Sequence, residues 1–102
     1  MFELTRPAPT HLALTGNLTI YEVGEARAAL VAAFADAREQ AWQLDMSATQ
    51  EIDSAGAQLL LAAQRHLNHA GGQLQVTAAS PAVEEILGLL RLSLTAGDDH
   101  VR

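Results

Sequence analysis

The stretch AWQLDMSATQEIDSAGAQLLLAAQRHLNHAGGQLQVTA occupies residues 41–78 and decides the fold. Residues 41–46 and 73–78 have the composition expected of strands. Between them, a loop at residues 47–52 precedes a helix that opens near Asp53 and closes at a glycine pair, which is a strong helix stop. A strand, a helix and a strand with short connections predict a parallel pair joined by a right-handed crossover.

The residues before this stretch predict a hairpin and a first helix. Residues 2–5 and 11–15 show full or partial alternation of apolar and polar side chains, and the second run ends at a Gly-Asn turn. Thr19 and Glu22 have the spacing of a capping box, and apolar residues follow at helical spacing. We therefore expect two paired strands and an amphipathic helix over residues 20–38.

The residues after the stretch predict a third helix. Ser80 and Pro81 supply an N-cap and a first-turn proline. An apolar stripe follows at helical spacing, formed by Val83, Ile86, Leu87 and Leu90. The element order β-β-α-β-α-β-α predicts an α/β domain with a mostly parallel sheet of four strands, whose helices cover one or both faces. Residues 95–102 are polar and read as a tail.

Composition favours a single domain over residues 1–102. Apolar residues make up 49% of the chain, which suits one compact core. Six arginines and no lysine stand against twelve acidic residues, which excludes lysine chemistry and disfavours a nucleic-acid partner. The chain has no cysteine, no run long enough to span a membrane and no signal-peptide pattern. We expect a soluble, cytoplasmic protein that does not insert into a membrane.

One cluster of polar residues is a candidate site. Asp45, Glu51, Asp53 and Ser54 lie beyond the carboxyl end of a strand and at the start of the next helix. Ligands of open α/β sheets bind at such places. Two interpretations are open: the helix N-terminus binds an anion or a phosphoryl group, or Asp53 or Ser54 simply caps the helix.

No pattern for catalysis, a cofactor or a metal accompanies that cluster. No serine lies in a G-x-S-x-G elbow. His66 and His69 are three residues apart on the second predicted helix, but no carboxylate lies one turn away, so we expect a solvated face. We expect no catalytic, cofactor-binding or metal-binding residue and no enzymatic activity. With four aromatic residues in the chain, an aromatic-walled pocket for a small ligand is also disfavoured.

Leu61 departs from the core pattern of the second predicted helix. The core face carries Gly56, Leu60, Ala63 and Leu67, and Leu61 is rotated about 100° away from it. Its side chain either contacts a partner or forms the rim of the core.

Five segments together resemble the STAS domain, the family named for sulfate transporters and anti-sigma factor antagonists. They are GNLTIY at 16–21, LDMS at 44–47, IDSAGAQLLL at 52–61, GGQLQV at 71–76 and SPAV at 80–83. The match extends from about residue 11 to residue 94. The resemblance implies a four-stranded mixed, mostly parallel sheet with three or four helices mainly on one face. It also implies no cofactor and a protein partner that binds near the N-terminus of the second helix.

The resemblance assigns roles to residues at that N-terminus. In anti-sigma factor antagonists, a partner serine kinase phosphorylates a D-S-[ST]-G motif, which switches binding off. Asp53, Ser54 and Gly56 match its first, second and fourth positions, whereas Ala55 replaces the usual phosphoacceptor. Ser54 is then the phosphorylation candidate. The residues expected to bind the partner are Asp53, Ser54, Ala55, Gly56, Gln58 and Leu61.

The resemblance suggests three contexts for the partner. The D-S-A-G variant looks most like stand-alone STAS proteins of bacterial chemotaxis signalling, with a signalling kinase or regulator as partner. The second context is the cytoplasmic STAS subunit of a lipid-trafficking ABC transporter, which docks the transporter ATPase. An anti-sigma factor antagonist comes third, because Ala55 removes its expected phosphoacceptor. A small-ligand sensor is a rival, since STAS relatives include nucleotide- and chromophore-linked examples.

Overall fold

The computed structural model describes residues 1–35 and 39–90. Within these residues the chain forms five strands and three helices. In chain order they are β1 (Phe2–Ala8), β2 (His11–Leu18), α1 (Val23–Phe34), β3 (Ala41–Met46), β4 (Thr49–Ile52), α2 (Ser54–His69), β5 (Gln73–Ala79) and α3 (Pro81–Leu89). The predicted tail at 95–102 and the predicted end of the first helix at 36–38 lie outside the described residues.

The sheet is mixed and mostly parallel. Its path is β1-β2-β3-β5, and β4 pairs with β2 off that path. β1 runs antiparallel to β2, with Leu4 opposite Leu14. The pairs β2–β3, β2–β4 and β3–β5 are parallel. The predicted opening hairpin and the predicted parallel pairing of strands are therefore confirmed.

The core lies between one face of the sheet and the helices. Along β3, Trp42 and Leu44 are buried, whereas Gln43 and Asp45 are exposed on the opposite face. Phe34 of α1 packs against Trp42 in an edge-to-face arrangement, with ring centroids 5.1 Å apart. The helices therefore cover mainly one face of the sheet, as the family resemblance implied.

The strand β4 corrects the prediction of a four-stranded sheet with a loop at residues 47–52. Its backbone pairs with the end of β2, and Thr49 is buried with its hydroxyl donating to the carbonyl oxygen of Leu14 at 2.9 Å. The sequence of β4 is TQEI, in which neither apolar content nor alternation marks a strand. Its pairing partner supplies the stabilisation, and the bond from Thr49 to Leu14 spans 35 residues.

The Gly-Asn turn predicted after the second strand is also wrong, because β2 continues to Leu18. The register between β2 and β4 shifts between Gly16 and Asn17. Gly16 has φ +92°, a backbone conformation that glycine adopts without a Cβ penalty. In this chain the glycine marks an irregularity within a strand and not a chain reversal.

The helices α2 and α3 begin where the sequence predicts. Asp53 caps α2 and Ser80 caps α3, each through a side-chain oxygen. After α2, Gly71 has φ +87°, and the amide of Gly72 donates to the carbonyl oxygen of Leu67 at 2.8 Å. Together with the bond from the amide of Gly71 to the carbonyl oxygen of Asn68 at 3.1 Å, this bond closes the helix end in the pattern of a glycine stop, as predicted.

The apolar stripe predicted on α3 is only partly buried. Val83 and Leu87 belong to the core and Ile86 is half-buried against it. Leu90 and the neighbouring Leu89 are exposed. The end of α3 therefore presents large apolar side chains to solvent.

Candidate functional site

Asp53 joins the start of α2 to the loop that follows β2. Its Oδ1 accepts a hydrogen bond from the backbone amide of Gly56 at 3.0 Å, which is the N-cap bond of α2. Its Oδ2 accepts a hydrogen bond from the backbone amide of Ile20, also at 3.0 Å. One half-buried carboxylate therefore holds two segments that lie 33 residues apart in the chain. The cap is Asp53, and the alternative of a cap by Ser54 is wrong.

Helix α2 places the other predicted partner-binding residues at different depths. Ser54 and Gln58 are exposed and Leu61 is half-buried, and their i, i+4, i+7 spacing puts them on one side of the helix. Ala55 is half-buried, and Gly56 is buried beside the carbonyl oxygen of Leu18. Gly56 is therefore inaccessible to a partner and acts in packing.

The sequence prediction missed two exposed residues beside the start of α2. Ile20 is 61% exposed and Tyr21 is 91% exposed, in the loop that Asp53 holds. The sequence interpretation placed both residues inside the first helix, where no signal marks them as exposed. We refer to these two residues together with Ser54, Gln58 and Leu61 as the α2 face.

The loop is also ordered by a hydrogen-bonded turn between Thr19 and Glu22. The backbone amide of Thr19 donates to Glu22 Oε1 at 2.9 Å, and its hydroxyl donates to the same oxygen at 2.6 Å. The α-ammonium of Met1 lies 3.1 Å from Glu22 Oε2. The predicted capping-box pair therefore closes a turn, and α1 begins after it at Val23 and not at residue 20.

These bonds lower the pKa of Glu22 from 4.5 to about 2, chiefly because the hydroxyl and the amide of Thr19 donate to the carboxylate. A carboxyl with a depressed pKa stabilises the fold above its unfolded pKa, and this stabilisation is lost as pH falls through the folded pKa. The difference in the free energy of unfolding between wild type and Glu22→Gln is expected to be constant between pH 4.5 and about 7 and to shrink between pH 4.5 and about 2. Urea unfolding at a series of pH values measures it.

A second variant identifies the cause of that pH dependence. Thr19→Val removes the hydroxyl donor but keeps the backbone donor, so it should show part of the same acid dependence. If the difference in the free energy of unfolding between wild type and Glu22→Gln does not change with pH, the Thr19 bonds do not stabilise the ionised form of Glu22.

The acidic cluster expected from the sequence does not form one site. Asp45 lies on the exposed face of β3, and its Oδ1 accepts from the amide and the hydroxyl of Ser47 at 2.8 and 2.7 Å. These two bonds lower the pKa of Asp45. Glu51 and Asp53 instead line a groove beside α3. Since Asp53 already accepts from Gly56, an amide that an anion would need at this helix N-terminus is satisfied.

The histidines and acidic residues do not gather into a metal site in the part of the chain that the structure describes. Groups of three or more metal-ligating side chains are absent there. His66 and His69 are both exposed on α2, as the sequence interpretation expected.

A family model described as "Mlab, STAS domain" matches residues 2–94 of the chain. The chain therefore belongs to the STAS domain family. No curated protein matches its sequence.

Solved structures share this fold. The anti-sigma factor antagonist SpoIIAA in its unphosphorylated form has a TM-score of 0.72 and 23% identity, covering 90% of this chain and 82% of its own. The phosphorylated form of SpoIIAA, described as a Bacillus cell fate determinant, has a TM-score of 0.66 and 22% identity, covering 90% and 85%. A putative anti-sigma factor antagonist from Thermotoga maritima has a TM-score of 0.71 and 17% identity, covering 88% and 78%.

Membrane insertion was not expected from the sequence. None of the helices within residues 1–35 and 39–90 has the length and apolar character needed to cross a membrane.

Proposed function

We propose that this chain is a non-enzymatic, cytoplasmic regulatory module that binds a protein partner through the α2 face. The observation that carries the proposal is the exposed pair Ile20 and Tyr21, which Asp53 fixes beside the exposed first residue of α2. Large apolar and aromatic side chains held rigidly in solvent are typical of protein-binding surfaces. The context that the motifs favour is bacterial signalling of the chemotaxis-associated kind, with a signalling kinase or regulator as partner.

Ser54 provides a means of control in that context. It is exposed and begins α2, and its hydroxyl makes no hydrogen bond with the described residues, so a kinase can reach it. A phosphate would add about −1.5 to −2 charge at a helix N-terminus, where the dipole favours it, but next to Asp53. The added charge would repel the neighbouring Asp53 carboxylate and change the shape of the surface that the partner contacts, which would weaken docking on the α2 face.

A second candidate function is constitutive docking as the STAS subunit of an ABC transporter. Two observations favour it: Ala55 removes the usual phosphoacceptor, and the matching family model carries the description "Mlab, STAS domain". The anti-sigma factor antagonist function is a third form of the same docking role. Its support is a fold shared with SpoIIAA and the exposed hydroxyl of Ser54.

Affinity copurification from the native host tests the docking role. The full chain is compared with Tyr21→Ala, with Ser54→Ala and with the double variant Ser54→Ala, Leu61→Ala, and recovered proteins are quantified by mass spectrometry. We expect a specific partner to be retained by Ser54→Ala and reduced at least about tenfold by Tyr21→Ala, since aromatic anchors dominate interface energies. Full recovery of every specific partner by Tyr21→Ala and by the double variant would contradict docking through the α2 face.

A Ser54→Asp variant in the same experiment separates the candidate contexts. A signalling kinase or regulator that is lost from Ser54→Asp, with phosphate found on Ser54 of the wild type, would support a phosphorylation-controlled switch. A transporter ATPase recovered equally by wild type and Ser54→Asp would support the constitutive subunit and contradict the switch.

A further inference from the structure

A groove beside the start of α2 runs between α3 on one side and β4 with the following Asp53 on the other. We call it the α3 groove; its volume is about 410 Å³. Residues from both sides line it, including Glu51, Ile52, Asp53, Glu85, Ile86 and Leu89. Thr19 and Asp53 also line it, and they precede Ile20 and Ser54 of the α2 face in the chain, so the groove adjoins that face.

The α3 groove exposes apolar surface that this chain does not cover in the described part of the structure. Leu89 is 71% exposed, whereas Ile52 and Ile86 are half-buried and pack against the core. An apolar side chain inserted between them would remove water from Leu89 on one side and from the two isoleucines on the other. The groove therefore suits a large aliphatic or aromatic side chain.

The charges around this apolar surface have one sign. Glu51 and Glu85 are exposed, and Asp53 completes the acidic edge. Among the described residues that line the groove, none is an arginine, and the whole chain carries a net charge of −6. An acidic edge repels nucleic acid and anionic lipid surfaces and attracts a segment that carries arginine or lysine.

We propose that the α3 groove binds a basic amphipathic segment of the protein partner, with an apolar side chain between Leu89 and Ile52 and arginine or lysine side chains beside Glu51 and Glu85. The inference rests on the proposed function, because it extends the interface from the α2 face to α3. It specifies the chemistry of the partner: apolar residues flanked by positive charges.

Two short synthetic peptides of matched length test the chemistry directly. One alternates leucine with arginine, and the other has glutamate in place of arginine. Each is titrated into the isotope-labelled full chain and followed by amide chemical shifts. We expect the arginine peptide to shift the amides of Ile52, Ile86 and Leu89, and the glutamate peptide to leave them unchanged. Equal shifts with both peptides, shifts confined to other surfaces, or no shift up to the solubility limit of the arginine peptide would overturn the proposal.

Matched charge variants test the acidic edge. The double variant Glu51→Gln, Glu85→Gln is expected to weaken binding of the arginine peptide roughly fivefold, because exposed ion pairs are each worth a fraction of a kcal/mol. Glu3→Gln, at an exposed position of β1 outside the groove, is the control and should leave the affinity unchanged. If the double variant and the control both leave the affinity for the arginine peptide unchanged, the assignment of Glu51 and Glu85 as the groups that bind arginine is overturned.

A comparison on the copurified partner separates this inference from the proposed function. If Tyr21→Ala reduces partner recovery and Leu89→Ala also reduces it, both stand. If only Tyr21→Ala reduces it, the groove proposal fails while docking on the α2 face stands. If neither of these variants nor the Ser54→Ala, Leu61→Ala double variant changes recovery, both fail. Leu89 is mostly exposed, so its replacement should not unfold the chain.

Discussion

Replacing Gly56 with alanine is expected to lower the free energy of unfolding by about 2–3 kcal/mol, the upper range for overpacking a core. A Cβ at this position would overlap the carbonyl oxygen of Leu18 and would lie 3.0 Å from side-chain atoms of Ile52 and Leu18. The carbonyl belongs to the backbone at the end of β2, so it cannot move without disturbing the sheet. Either α2 withdraws from β2 or the strand end shifts, and both outcomes loosen the loop that carries Ile20 and Tyr21.

Gly24→Ala provides the matched control for this prediction. Gly24 lies in α1, and a Cβ there would meet nothing within 4 Å. Alanine should raise stability by about 0.5 kcal/mol, because it has the higher helix propensity and restricts the unfolded chain. If the contact with Leu18 is tight, urea unfolding will show a lower free energy of unfolding for Gly56→Ala and a higher one for Gly24→Ala. A Gly56→Ala chain as stable as wild type would show that α2 and β2 are not in such close contact.

The parts of the fold that the sequence predicts are those set by local chemistry. The start of α2 depends on the Asp53 carboxylate reaching an amide three residues away, and its end depends on the conformation of Gly71. The alternation along β3 and β5 follows from a sheet buried on one face. Each of these signals lies within a few residues of the structure that it determines.

The parts that the sequence does not predict depend on distant partners. β4 exists because β2 lies beside it, and its own residues TQEI do not mark a strand. The position of Ile20 and Tyr21 depends on where α1 begins and on the hydrogen bond that the Ile20 amide donates to Asp53, 33 residues away. Predicting the α3 groove requires knowing how α3 packs beside β4. The periodicity of the sequence does not contain this information.

The candidate site was predicted as a motif, and the structure separates its residues into different roles. Asp53 and Gly56 are structural, since one caps α2 and holds the loop and the other permits close packing on Leu18. Ser54 is exposed at the first position of α2, and its hydroxyl makes no hydrogen bond within the described part of the chain. Leu61 is half-buried. Its exposure is intermediate between that of a partner contact and that of a side chain at the rim of the core, the two interpretations that the helical pattern left open.

Asp53→Ala is the second substitution with a large expected effect, a loss of about 2–3 kcal/mol in the free energy of unfolding. It removes a charged N-cap, worth about 1–2 kcal/mol, and a second charged hydrogen bond to the amide of Ile20. Urea unfolding measures the loss. A decrease below about 0.5 kcal/mol would contradict the bridging role, because even the cap alone should exceed it.

Asp53→Asn separates the two bonds, which makes it the more informative variant. Asparagine keeps an oxygen that accepts from Gly56 and is a good N-cap, but its amide nitrogen cannot accept from Ile20. We expect a loss of only about 1 kcal/mol in stability, since the Ile20 amide is exposed and can bond to water when the carboxylate is gone. Hydrogen exchange at the Ile20 amide should accelerate while that at Gly56 stays slow. Partner recovery should fall as it does for Tyr21→Ala, because the α2 face depends on the position of this loop more than on the stability of the domain. Unchanged exchange at Ile20 with normal partner recovery would mean that the loop holds its position without Asp53.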